Sequence, residues 1–215
     1  MPVREKGNEG WIETYMGIAF RFSEPDMERV FAADIAHALS MKCRVNGHVR
    51  FHYSVAQHSV LMVEWFRENG FPLDTQRMAL LHDAHEAYLP DVPAPIKPHL
   101  PGWRDMENAV QEAIDSRFLE PLPANRWDNH AYAVKLVDAK ICITEARTLM
   151  PSMARRWNWA KDVEPLDVIV QSLTPEQVKG LFMNEFVRLF PDVSPVGVSD
   201  LQGLPFYTGS DNFRP

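Results

Sequence analysis

Apolar residues recur at intervals of three and four through most of this chain, and the intervals break at turn-forming residues. Between residues 26 and 41, Met27, Val30, Phe31, Ile35, Ala38 and Leu39 fall at helical spacing. Ser54 can cap a second helix over 55–69, which Asn69-Gly70 ends. A third runs from Asp74 or Thr75 through 88. A fourth covers 103–119 with Trp103, Met106, Val110, Ile114 and Phe118 inward. A fifth covers 129–150, carried by Val134, Val137, Ile141 and Leu149. Thr174-Pro175-Glu176 opens a last helix that ends near Phe190, with proline tolerated in the first turn.

The segments between these helices read differently. Residues 11–23 are short, aromatic and interrupted by Gly17, which predicts an extended segment or small hairpin. Residues 42–53 are polar and basic with an Asn46-Gly47 turn signal, hence a loop. Residues 89–101 hold five prolines and cannot be helix. The tail over 191–215 is rich in Pro, Gly, Ser and Asp and reads as irregular. The pattern predicts an all-α helical bundle with a short extended N-terminal segment. It is read as one domain over 1–215, with its core over about 26–190.

Composition narrows the function. The 215 residues carry a formal net charge of −7, which argues against an extended grip on polymeric nucleic acid. A local basic pocket for a small anion is still compatible with that balance. Cys43 and Cys142 form no CxxC and suggest no disulfide framework. No apolar run reaches membrane-spanning length, and the first residues lack a signal-peptide core. The expectation is a cytoplasmic protein that uses no membrane.

Against this background a few polar residues stand out on apolar helix faces. His58 lies inside an apolar run. His82-Asp83 follows Ala79-Leu80-Leu81, and Asp138 follows Leu136-Val137. A carboxylate on an apolar face costs stability unless it is paired or ligates a metal. A capped, hydrogen-bonded or ion-paired role explains each residue singly. One shared metal explains all of them together. Two imidazoles and two carboxylates suit a divalent first-row transition metal, here Mn, Co, Zn or Fe.

The ordered set His58, His82-Asp83-Ala84-His85-Glu86, Asp91-Val92-Pro93-Ala94-Pro95-Ile96-Lys97 and Asp138 resembles the HD-domain metal-dependent phosphohydrolases. It is most similar to the bacterial 5′-deoxynucleotidases and the phage-type deoxynucleoside triphosphate phosphohydrolases. The resemblance spans roughly residues 30 to 150. It implies an HD-domain fold in which His58, His82, Asp83 and Asp138 hold one metal. It further implies that Glu86 moves a proton beside Asp83, Arg44 and Lys97 contact phosphate, and Asp91 meets the sugar and favours deoxyribose. Spacing puts Glu86 four residues after His82, hence one turn on along the same helical face. His85 departs from the family pattern and is read as a partner of Glu86 or a further phosphate contact.

The reading is therefore a metal-dependent phosphohydrolase of small nucleotides. Extra basic residues lean it toward deoxynucleoside triphosphates such as dATP, with an additional Mg²⁺ arriving with the substrate. A 5′-deoxynucleotidase of monophosphates is the alternative within the class. A non-catalytic nucleotide-binding or oligomerisation module is the alternative outside it. A homo-oligomer is expected. Trp157 and Trp159 are weighed as a base-stacking wall against plain packing, and packing is favoured. His130 is read as surface.

Overall fold

Over residues 10–119, 121–151 and 157–194, which the computed structural model describes, the chain is all-α with one short hairpin. Strand β1 (Trp11–Glu13) pairs antiparallel with β2 (Ala19–Arg21), Ile12 opposite Phe20. Gly17 makes the turn at φ 76°, which glycine adopts without Cβ strain. Phe20 inserts into the helical core and is fully buried. The extended reading of residues 11–23 therefore holds.

Six α-helices follow among the described residues: α1 (Ala32–Met41), α2 (Val55–Glu68), α3 (Leu73–Leu81), α4 (Trp103–Phe118), α5 (Ala124–Leu149) and α6 (Pro175–Leu189). Two start as their caps dictate. The Ser54 hydroxyl accepts from the Gln57 N–H and opens α2. Thr174 and Gln177 form a reciprocal capping box at α6, with Pro175 just inside.

Three boundaries differ from expectation, each for a local reason. The helix expected from 26 begins only at Ala32. The Asp26 carboxylate instead caps a 3₁₀ turn over Met27–Arg29, and Val30 and Phe31 are extended so that both side chains enter apolar surroundings. Helix α5 starts at Ala124, not 129, directly after Pro123, which needs no N–H partner there. This adds Trp127 to the helix that carries Asp138. Helix α3 stops at Leu81, not 88, and its end forms part of the candidate site.

Helix α2 is central, packing on α1, α3, α5 and α6. Its Met62, Val63 and Phe66 are fully buried. A residue on the inner face of α2 is thus removed from water, which matters for His58. Phe118 of α4 meets Phe186 of α6 edge to face, ring centroids 5.2 Å apart, and closes the opposite side of the core. No described helix is long and apolar enough to cross a membrane. The irregular tail expected over 191–215 lies outside the described residues from 195 on.

Candidate metal centre

The loop over 42–53 is pinched at its neck. Arg44 N–H donates to the Tyr53 carbonyl (2.9 Å), and Val55 N–H to the Lys42 carbonyl (3.0 Å). Arg44 is thereby held against the start of α2. Val45, next along, has φ 53°, an uncommon left-handed conformation for a β-branched residue. Such strain persists only where surrounding contacts impose it.

One turn into α2, His58 faces inward and is fully buried. Its Nδ1 lies 2.7 Å from Oε1 of Glu145, a buried carboxylate on α5. A carboxylate ion can only accept, so Nδ1 carries a proton, and Nε2 can ligate a metal once it carries none. Nε2 lies 3.2 Å from Oδ1 of Asp138. Asp138 and Glu145 are seven residues apart on α5, two turns along one helical face.

His82 arrives from the other side, at a helix end capped by side chains. Its Nδ1 donates to the Ala79 carbonyl (2.8 Å), and Gln111 Nε2 of α4 donates to the Leu81 carbonyl (2.9 Å). Asp83 then leaves helical geometry at φ −107°, ψ 16°, and a 3₁₀ turn follows over Ala84–Ala87. Glu86 is consequently not one turn on along the same α-helix. It is placed by that turn, and Lys42 fixes the turn by donating to the carbonyls of Glu86 and Leu89.

His58, His82 and Asp138 each offer one atom, and these atoms lie within 4.8 Å of one another. This group could hold a metal ion. The donor set fits one. Both Nε2 atoms are buried without a hydrogen-bond partner, while both Nδ1 atoms are tied, one by a carboxylate and one by a carbonyl. That is how ligating imidazoles are oriented. Asp83 lies outside the 4.8 Å group but beside it, with Oδ2 3.2 Å from His82 Nε2. The Asp138 side chain is 40% exposed, so one flank opens to solvent.

The charges respond to one another. Burial alone would push His82 down, but the Asp83 and Asp138 carboxylates lift it to about 9. Burial would raise Asp83, yet His82, His58 and Arg44 hold it well below the usual carboxylate range. Because His82 is raised above 6.5, its favourable contribution is complete below that pH and is lost as pH climbs through about 9. A metal needs the neutral ring and reverses this order. Chelated protein is therefore expected to melt at lower temperature at pH 9 than at pH 6.5, and protein saturated with Mn²⁺ to show a larger metal-induced rise in Tm at pH 9. Melting curves at the two pH values check this; equal metal-induced shifts would mean that His82 is not a ligand.

Asp91 lies half-buried in the irregular segment after the Ala84–Ala87 turn, near enough to Glu86 to act on its charge. Glu86 is buried, with Oε2 unpartnered, and burial followed by the nearby Asp83 and Asp91 raises it to about 9. Arg44 is at the site but committed, with Nε 3.1 Å from Glu145 Oε2 and one terminal nitrogen 3.6 Å from Asp83 Oδ2. Lys97 Nζ lies 2.8 Å from Oε1 of Glu107 on α4, and His85 Nε2 is 3.8 Å from the same oxygen. His85 also meets Gln111 through its backbone N–H and its Nδ1. His130 is half-buried and bonded to Thr75. Trp157 and Trp159 stack on each other, centroids 5.6 Å apart. Sequence reasoning missed Glu145, Gln111 and Glu107, and singled out no role for Lys42 in the basic loop over 42–53. A cavity of about 330 Å³ opens on His82 and Asp138 between α3, α4 and α5, and Trp127 lines it.

The chain is 32% identical over 178 residues to the uncharacterized protein YfdR of Escherichia coli, a match covering 82% of this chain and 93% of that protein. The chain belongs to the YfdR family. A second relative, an uncharacterized protein of Rhodobacter capsulatus, is 28% identical over 196 residues, 89% of this chain and 84% of its own length. No family model matches the sequence. Neither relative's name states an activity.

Proposed function

We propose that this chain is an HD-domain, metal-dependent phosphohydrolase of deoxynucleotides, with triphosphates such as dATP as the leading substrates. The observation that carries the proposal is the pair of buried Nε2 atoms of His58 and His82, turned with Asp138 toward one point while their Nδ1 atoms are tied off. A divalent Mn, Co, Zn or Fe ion bound there would act as Lewis acid on a phosphate oxygen and on water. His58, His82 and Asp138 would hold it, with Asp83 as the fourth ligand.

The other residues then have definable tasks. Glu86 holds a proton at a buried carboxyl beside the ligands and can pass it to the leaving oxygen. Lys42 keeps the Glu86 turn in place through two carbonyls. Arg44 balances Glu145 and Asp83, so that the carboxylates around the centre do not repel an anionic substrate unopposed.

One observation favours monophosphates as a second reading. Arg44 and Lys97, the cations expected to grip phosphate, are each already paired with a carboxylate. A panel of deoxy- and ribonucleotides, mono- to triphosphate, decides between the readings. Phosphate release is expected to vanish after chelation and to return with Mn²⁺ or Co²⁺. Undiminished release from verified metal-free protein, or none from any nucleotide with any of the four metals, would refute the proposal.

A further inference from the structure

The 330 Å³ cavity that opens on His82 and Asp138 has a definite polarity of its own. Its wall away from the two ligands is apolar, formed by Met78, Leu119, Trp127, Ala131 and Val134. On α5, Trp127, Ala131, Val134 and Asp138 are spaced by four, three and four residues, so they share a face. Trp127 therefore stands about three turns, roughly 16 Å of helix axis, from the ligand. A larger hollow of about 490 Å³ adjoins it, and the two share Gln111, Asp115, Leu119 and Trp127. The volume is in the range of small-molecule sites, about 300–1,000 Å³.

Charge follows the same axis. Lys135 lines the cavity one turn before Asp138 and makes no ion pair among the described residues. It is thus the cation free to face an anion beside the ligands. Farther along, Asp115 and Gln111 give polar edges inside the apolar wall, joined by a 2.8 Å hydrogen bond from Gln111 Nε2 to Asp115 Oδ1. The Trp127 ring has no aromatic partner among the described residues, unlike Trp157 and Trp159. An unpaired cation beside the ligands and, farther along the wall, an aromatic ring with hydrogen-bonding neighbours run in the order of phosphate, sugar and base.

We infer that this cavity binds the nucleoside part of the substrate, with Trp127 as the platform on which the base stacks and Lys135 facing the phosphate. The inference rests on the nucleotide reading and adds where the base lies. It places the base on α4 and α5, away from the Trp157–Trp159 pair.

The test uses the full chain and a probe without phosphate. Binding of 2′-deoxyadenosine is measured by equilibrium dialysis in the wild type, Trp127→Phe and Trp127→Leu, beside KM and kcat for dAMP and dATP. Leucine keeps apolar packing but removes the ring, and circular dichroism checks that the helices persist. Trp127→Leu is expected to weaken deoxyadenosine binding and raise KM roughly 5- to 100-fold, with kcat little changed and Trp127→Phe close to the wild type. Lys135→Ala is expected to raise KM for nucleotides while leaving deoxyadenosine binding within about twofold. Metal-dependent hydrolysis that Trp127→Leu leaves unaltered overturns the base site and spares the hydrolase reading. Trp127-dependent deoxyadenosine binding without hydrolysis of any nucleotide keeps the base site and overturns the hydrolase reading.

Discussion

Glu86→Gln is expected to lower kcat roughly 10²- to 10⁴-fold while the protein still takes up its metal. The substitution keeps the size and the neutral hydrogen-bonding character of a protonated carboxyl. It removes only the transferable proton. Glu86 is buried and its Oε2 has no partner, so no structural bond is lost. Asp83→Asn should behave differently. Asp83 lies 3.2 Å from His82 Nε2, and its loss should reduce metal content and turnover together. Metal analysis beside steady-state kinetics separates the two. If Glu86→Gln loses metal as fully as Asp83→Asn, Glu86 is a ligand and not the proton donor.

This contrast depends on a backbone detail that periodicity could not show. The apolar spacing of residues 74–88 runs smoothly through His82, so a single helix is the natural reading. The helix stops where side chains take its last carbonyls, and the turn that follows is held from a distance. His82 itself takes Ala79, Gln111 takes Leu81, and Lys42 takes Glu86 and Leu89. The bonds from Gln111 and Lys42 leave no local signature. The caps that were legible, Ser54 and Thr174, act within three residues of themselves.

The same distinction runs through the site. His58, His82 and Asp138 were legible because each is a polar residue with no local excuse on an apolar face. The structure brings these three together. Glu145 had the same property, two turns beyond Asp138, but a Glu late in a long helix reads as solvated charge. Its spacing of seven from Asp138 was the available signal. Glu107 was hidden likewise among the polar residues of α4. Trp127 was hidden by a boundary, since the helix that presents it was expected to begin after it.

Glu145 carries the other large effect. Its Oε1 meets His58 Nδ1 at 2.7 Å and its Oε2 meets Arg44 Nε at 3.1 Å, all three side chains being buried or nearly so. Glu145→Ala leaves Asp83, 3.6 Å away, as the remaining ion-pair partner of Arg44 among the described residues, and frees the His58 ring to turn. Breaking a buried pair from one side costs about 3–5 kcal/mol. Loss of the group that orients a ligating imidazole costs about 10- to 100-fold in metal affinity. The two consequences can be parted. Replacing both partners, Arg44→Met with Glu145→Met, removes the unpaired charge and should recover most of the stability. It restores nothing at His58 Nδ1, so the metal affinity should stay low. Denaturant titration of chelated protein reads the first effect, and competition with a chromophoric chelator reads the second. Recovery of both in the double variant would mean that Glu145 acts on the centre only by neutralising Arg44, and not by holding His58.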